Sequence, residues 1–176
     1  MFGSRVLSLE TVRFDPPDSD REGGTFVVAR VPDWINVVAR TDDDRLVLVR
    51  QYRFGVERAT LELPGGMCDP GESPLDAACR ELREETGYVG ERWHDLGSVE
   101  PNPALQDNRC HTFLAESVQR AHEPRPDPHE SIEVVLSPFD AIAGAVRRGE
   151  ITHALVVAAL YRYDLWSASP GRMSTL

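Results

Sequence analysis

The sequence contains no lysine: all 19 of its basic residues are arginine. That absence excludes a lysine nucleophile or a Schiff-base enzyme. Any phosphate contact from a basic side chain must come from arginine, whose rigid guanidinium fork matches phosphate oxygens. Cysteine is scarce too. Cys68, Cys79 and Cys110 are odd in number, widely spaced and without a Cys-x-x-Cys pair, which excludes a disulfide framework and reads as thiols in a reducing compartment. No apolar run approaches the roughly 20 residues of a membrane span, and residues 1–10 lack the apolar core of a secretion signal, so a cytoplasmic protein is expected. Excess positive charge is also missing. The net charge of −10 disfavours nonspecific binding to nucleic acid or an anionic membrane, yet leaves room for a small anionic ligand at a locally positive site. What is present is 41% hydrophobic residues in 176, enough for one globular domain with a sizeable core.

Residues 4–14, Thr25 to Val31, Trp34 to Arg40 and Arg45 to Arg53 read as strands, the last by its alternation of Leu46 and Leu48 with Val47 and Val49. They predict two early hairpins or a small antiparallel sheet. Thr60 to Leu63 is a short strand ending at Pro64-Gly65-Gly66. Ser73 then opens a helix: it is a good N-cap, Pro74 sits at the first helical position, and Asp76 completes a Ser-x-x-Asp box. Leu75, Ala78, Cys79 and Leu82 follow at helical spacing, and Gly87 ends the helix. Glu91 to Glu100, His111 to Val118 and Ile132 to Leu136 are further strands. Ser137-Pro138-Phe139-Asp140 repeats the helix-start chemistry for a helix to about Arg148, and Thr152 begins a last helix to about Trp166. The expectation is an α+β fold, a mixed sheet with helices on its faces. One domain spans 1–176: N-terminal strands over 1–44, a catalytic core over 45–166 and a tail over 167–176.

Chemistry concentrates in the Ser73 helix. Glu81 and Glu85 stand at i and i+4, Glu81 and Glu84 at i and i+3, so three carboxylates share one helix edge. Their mutual repulsion weakens a helix by a few tenths of a kcal/mol per pair, and a solvated Glu-rich face is the ordinary explanation of such a pattern. Here a tight Pro64-Gly65-Gly66 turn precedes the helix, Glu72 is placed to ion-pair with Arg80, and a hard divalent cation would offset the repulsion, since carboxylate oxygens are the ligands Mg²⁺ prefers.

The spacing Gly66, five residues, Glu72, seven residues, Arg80-Glu81-Leu82, one residue, Glu84-Glu85, one residue, Gly87-Tyr88 resembles a complete Nudix box. The resemblance implies a Nudix fold, an α/β/α sandwich with a mixed sheet and here an N-terminal antiparallel strand extension. It implies hydrolysis of a pyrophosphate bond with Mg²⁺, Mn²⁺ being the alternative. Glu81, Glu84, Glu85 and the Gly65 carbonyl would be metal ligands, and Arg80 and Glu72 would hold their geometry.

Arg50-Gln51-Tyr52-Arg53 and Leu61-Glu62-Leu63-Pro64 resemble the segment before the box in ADP-ribose pyrophosphatases and related nucleoside diphosphate sugar hydrolases. By that resemblance Arg53 contacts substrate phosphate, Arg50 binds substrate beside it and Glu62 sits near the metal or substrate. Pro103 stands 15 residues after Tyr88, where those enzymes carry a Ser-Pro-Gly-like turn. Asn102 and Ala104 depart from that turn, which keeps GDP-mannose and other nucleotide sugars beside ADP-ribose, and Arg109 could read a sugar or second phosphate. In the enzymes it resembles, a loop before the last strand supplies a glutamate as general base, which implies one here from the matching loop. Glu130 is favoured, with Glu133, Asp127 and His129 as competitors. Trp34, Tyr52, Phe54 and Trp93 are candidates to stack on a base, though each fits a core role. His94, His111, His122 and His153 show no metal-ligand pairing and read as structural or surface residues. A triphosphate house-cleaning hydrolase and a ligand-sensing module without activity are the competing functions. The resembling enzymes also imply a homodimer joined through N-terminal strands.

Overall fold

Ile35 to Ala39 are all buried, a run apolar except for Asn36, the signature of a central strand. The computed structural model describes residues 2–3, 6–17, 22–125 and 131–169. In it, β1 (Phe2–Gly3), β2 (Ser8–Phe14) and β3 (Gly24–Arg30) make a three-stranded antiparallel sheet in that order. The main sheet holds six strands: β4 (Trp34–Arg40), β5 (Arg45–Arg53), β6 (Arg58–Glu62), β8 (Arg92–Val99), β9 (Cys110–Glu116) and β11 (Ile132–Pro138). Its order is β11-β5-β4-β9-β8, with β6 also on β5, and it is mixed because β4 and β9 run parallel. Between these come β7 (Tyr88–Val89), paired with β10 (Gln119–Arg120), and the helices α1 (Pro74–Thr86), α2 (Ile142–Arg147) and α3 (Ala154–Ser167).

The side-chain period of two sends alternate residues to opposite faces. Ile35, Val37, Ala39 and Val47 pack with Ala78 and Leu82 of α1 on one face. Val38, Leu46, Leu48 and Leu114 pack with Ile142, Val156, Leu160 and Trp166 of α2 and α3 on the other. Each such aliphatic side chain contributes about 1.5–3 kcal/mol on burial.

One irregularity of this sheet makes the site. β4 pairs with β5 only at Ala39 and Arg40, near its end. Further along β5, from Val49 to Arg53, the partner is β6. The first half of β4 is satisfied instead by the loop after β6: Ile35 N–H donates to Gly66 O (2.9 Å) and Val37 N–H to Pro64 O (2.8 Å). The sheet therefore opens between β4 and β6, with the glycine turn at the lip.

Three expectations are corrected. The strand expected over 4–14 begins at Ser8, and among the described residues before it Phe2–Gly3 pairs with it. Ser137 starts no helix: β11 stays paired to β5 through Pro138 opposite Arg45, and the ladder overrides the local cap signal. A single 3₁₀ turn (Phe139–Ala141) then leads into α2. The cap of α3 is His153 and not Thr152, whose hydroxyl accepts from Arg58 Nη2 at 3.0 Å.

Candidate active site

The opening in the sheet is a cavity of about 700 Å³. Its lining joins Trp34 and Asn36 of β4, Gln51 and Arg53 of β5 and Glu62 of β6 with the Gly65-Gly66 turn. Glu81, Glu84 and Glu85 of α1 close one side and His153 and Leu155 of α3 the other.

Local sequence sets the α1 side. Ser73 Oγ accepts the Asp76 N–H at 3.1 Å and Pro74 occupies the first turn, fixing where the helix begins. Gly87 ends it in the left-handed region (φ 75°), where a Cβ would also lie 2.1 Å from His122 O. Glycine at 66 has a different cause: a Cβ there would stand 2.2 Å from Glu81 Oε1, so the turn approaches the helix closely only because the side chain is missing.

Arg80 organises this wall. Its Nε and Nη2 donate to the two oxygens of Glu72 (2.9 Å each), Nη1 to Glu81 Oε1 (2.9 Å) and Glu84 Oε2 (3.5 Å), and Nη2 also to Met67 O (3.0 Å). The Arg80 guanidinium holds the Glu72 carboxyl below the usual glutamate range, and the acidic partners raise Arg80 further. Glu85 is buried and accepts the Gly65 N–H at 2.9 Å. Among the described residues, no three of His, Cys, Asp and Glu form a group that could hold a metal ion. The three box glutamates line one cavity, Glu81 and Glu84 accepting from Arg80 and Glu85 from the Gly65 N–H. The donor set itself fits a hard divalent cation: Glu81, Glu84, Glu85 and Gly65 face the same space with oxygen donors.

The facing wall carries a second arginine–carboxylate unit. Arg53 Nε and Nη2 donate to the two oxygens of Glu62 (2.9 and 2.8 Å), and Thr60 Oγ1 donates to Glu62 Oε1 (2.5 Å). Burial pushes the Glu62 carboxyl up, but the hydrogen bonds from Arg53 and Thr60 outweigh it and leave Glu62 below the usual range.

Of the residues singled out from sequence, Arg53, Glu62, Gly65, Arg80, Glu81, Glu84, Glu85 and Trp34 line the cavity, and Glu72 reaches it through Arg80. Arg50, Pro103 and Arg109 are not in its lining. Arg50 instead pairs with Glu133 across the β5–β11 ladder at 3.2 Å, which also keeps Glu133 off the cavity wall. The Pro103 turn is exposed, and the segment after it is stitched to the N-terminal sheet: Ala29 N–H donates to Leu105 O (2.7 Å), and Arg30 Nη1 to Asp107 (2.9 Å). The Arg109 N–H donates to Asp33 Oδ1 at 2.8 Å. Asp127, His129 and Glu130 lie outside the described residues. Trp93 is core, while Tyr52 and Phe54 stand exposed at the β5–β6 turn in edge-to-face contact. Polar cavity residues that the sequence reading did not place there include Asn36 and His153. Asn36 was hidden within an apolar strand and His153 among unpaired histidines; the one available signal was the place of His153 immediately before an apolar helix.

A family model described as NUDIX domain matches residues 31–160. An ADP-ribose pyrophosphatase of Bacillus subtilis is 30% identical over 172 residues, covering 96% of this chain and 90% of that protein. A methanol dehydrogenase activator of Bacillus methanolicus is 28% identical over 169 residues, covering 96% and 90%. A crystal structure of an ADP compounds hydrolase superposes with a TM-score of 0.83 at 25% identity, covering 98% of this chain and 92% of that one.

Proposed function

The chain belongs to the Nudix family of pyrophosphohydrolases, and from that premise we propose that it hydrolyses the pyrophosphate bond of ADP-ribose or a related nucleoside diphosphate sugar, releasing a nucleoside monophosphate and a sugar phosphate. The observation that carries this reading is the two-walled cavity, which sets the box carboxylates of α1 opposite the Arg53–Glu62 unit. The names of the relatives support the substrate class: an ADP-ribose pyrophosphatase and an ADP compounds hydrolase match nearly the whole chain.

In this reading Arg53, fixed by Glu62, offers a guanidinium edge to a substrate phosphate. Arg80 and Glu72 hold Glu81 and Glu84 in place. Nudix hydrolases work with divalent ions, and Mg²⁺, or Mn²⁺ in its place, held by Glu81, Glu84, Glu85 and the Gly65 carbonyl, would supply positive charge to the phosphoryl oxygens and acidify water. Glu130 takes the proton from the attacking water; Glu133, tied to Arg50, is the weaker choice for that step. Arg50, Pro103 and Arg109, outside the cavity lining, meet the parts of the substrate that project beyond it.

The site serves a small-molecule nucleotide. One domain fills the chain, a cytoplasmic one, and two copies associate through the N-terminal sheet, where Phe14, Phe26 and Val27 are more than half exposed. No helix among the described residues is long and apolar enough to cross a membrane.

The deciding experiment offers ADP-ribose, GDP-mannose, UDP-glucose, a diadenosine polyphosphate and 8-oxo-dGTP with Mg²⁺ and reads products by mass. AMP with ribose 5-phosphate, released faster than any other product, supports the ADP-ribose reading. Preference for another nucleotide sugar keeps the chemistry and moves the substrate. Monophosphate plus pyrophosphate from 8-oxo-dGTP as the main reaction overturns the proposal.

A further inference from the structure

The α3 wall of the cavity has no part in the chemistry derived above, yet it carries a titratable side chain. His153 is the N-cap of α3 with extended backbone (φ −67°, ψ 120°), and its Nδ1 accepts the Leu155 N–H at 3.3 Å. A ring nitrogen that accepts a hydrogen bond bears no proton, so the neutral imidazole carries its proton on Nε2, at the opposite edge of the ring. Among the described residues no hydrogen bond to Nε2 is present. The ring lines the same cavity as Arg53 and Glu62. Glu62 is already committed, with both oxygens taken by Arg53 and one also by Thr60. The capping bond thus leaves the N–H donor on Nε2, on a ring that lines the cavity.

We propose that His153 is a substrate-binding residue, donating from Nε2 to a non-bridging phosphate oxygen of the nucleotide-linked pyrophosphate on the wall opposite the box carboxylates. This rests on the pyrophosphohydrolase reading. It assigns Arg53 and His153 as paired donors on one wall, so that the substrate's charge is met from the α3 side as well as from α1.

Two substitutions separate binding from capping. His153→Ser keeps a side-chain acceptor for the Leu155 N–H and removes the donor. His153→Gln keeps an N–H donor of similar reach on a residue that caps poorly. On the best substrate of the wild-type enzyme, Ser should raise KM about tenfold, the loss of roughly one hydrogen bond to a charged group, with kcat within about twofold and the melting temperature unchanged. Gln should hold KM within about threefold of wild type while lowering the melting temperature. A Ser variant with wild-type KM, or a Gln variant whose KM rises as far as that of Ser, overturns the role of His153 while leaving the enzyme's reaction standing. Wild-type protein that turns over no pyrophosphate compound removes both.

Discussion

At the scale of single residues, the box glutamates differ in what holds them. Glu84 is 40% exposed and touches Arg80 only at 3.5 Å, whereas Glu85 is buried against the Gly65 amide. Glu84→Gln should therefore leave the melting temperature unchanged and lower kcat at least about a hundredfold, the scale of losing one electrostatic contact to the transition state. Glu85→Gln should lower turnover as far while leaving the fold intact, because the amide oxygen can still accept from Gly65. Unchanged turnover in both variants would remove the metal assignment. Glu62 is tested by pH. Its carboxyl lies below the usual range in the folded chain, so its bonds to Arg53 and Thr60 stabilise fully above the unfolded value of about 4.3 and are lost as pH falls through the folded value. The melting temperature of Glu62→Gln should fall below that of wild type at pH 7, and the gap should narrow in acid. A gap that is constant from pH 7 to below pH 4 would mean the pairing contributes nothing.

At the scale of elements, two serines with the same local signature have different fates. Ser73 caps α1, with Asp76 N–H bonded to its hydroxyl. Ser137 sits in β11, opposite Leu46 of β5. Ser73→Ala should cost about 1 kcal/mol in chemical denaturation, and Ser137→Ala should stay within about 0.5 kcal/mol. Equal losses would mean that the Ser73 bond does not stabilise α1. The contrast shows why the helix over Pro74–Thr86 was legible and the start expected at Ser137 was not. For α1 the cap, the proline, the apolar spacing and the terminal glycine agree. At Ser137 the cap signal competes with seven residue pairings to β5, and the ladder wins. His153 was missed for a related reason, since Thr152 carries the better cap chemistry and is held elsewhere by Arg58.

At the scale of the whole molecule, the N-terminal sheet is a separate layer fastened to the 102–109 segment through Leu105 and Asp107. Its outward Phe14, Phe26 and Val27 leave apolar surface of the kind that association covers. Light scattering at micromolar concentration should give twice the chain mass, and replacing Phe26 and Val27 by serine should shift the mass towards one chain. A single-chain mass for the unmodified protein would set the dimer aside. The cavity lining shares the acidity of the chain, with Glu62, Asp69, Glu81, Glu84 and Glu85 against Arg53 and Arg80, so an anionic substrate would need a divalent cation beside the two arginines.

Read alone, the sequence determined the helix that carries the carboxylates, most strand positions and the mixed α+β class, because those follow from contacts between near neighbours: i, i+3 and i+4 spacing, caps, alternation and a turn of fixed glycines; the reaction type came from the resemblance of that spacing to the Nudix box. Only the tertiary structure decided which distant residues share the cavity. The opening between β4 and β6 depends on β5 changing partner partway along its length. That event brings Asn36, Arg53, Glu62 and His153 to the same space and leaves Arg50, one residue out of phase with Gln51, on the other side of the sheet. Strand pairing is a long-range choice, and a shift of one residue reverses the face that every side chain presents.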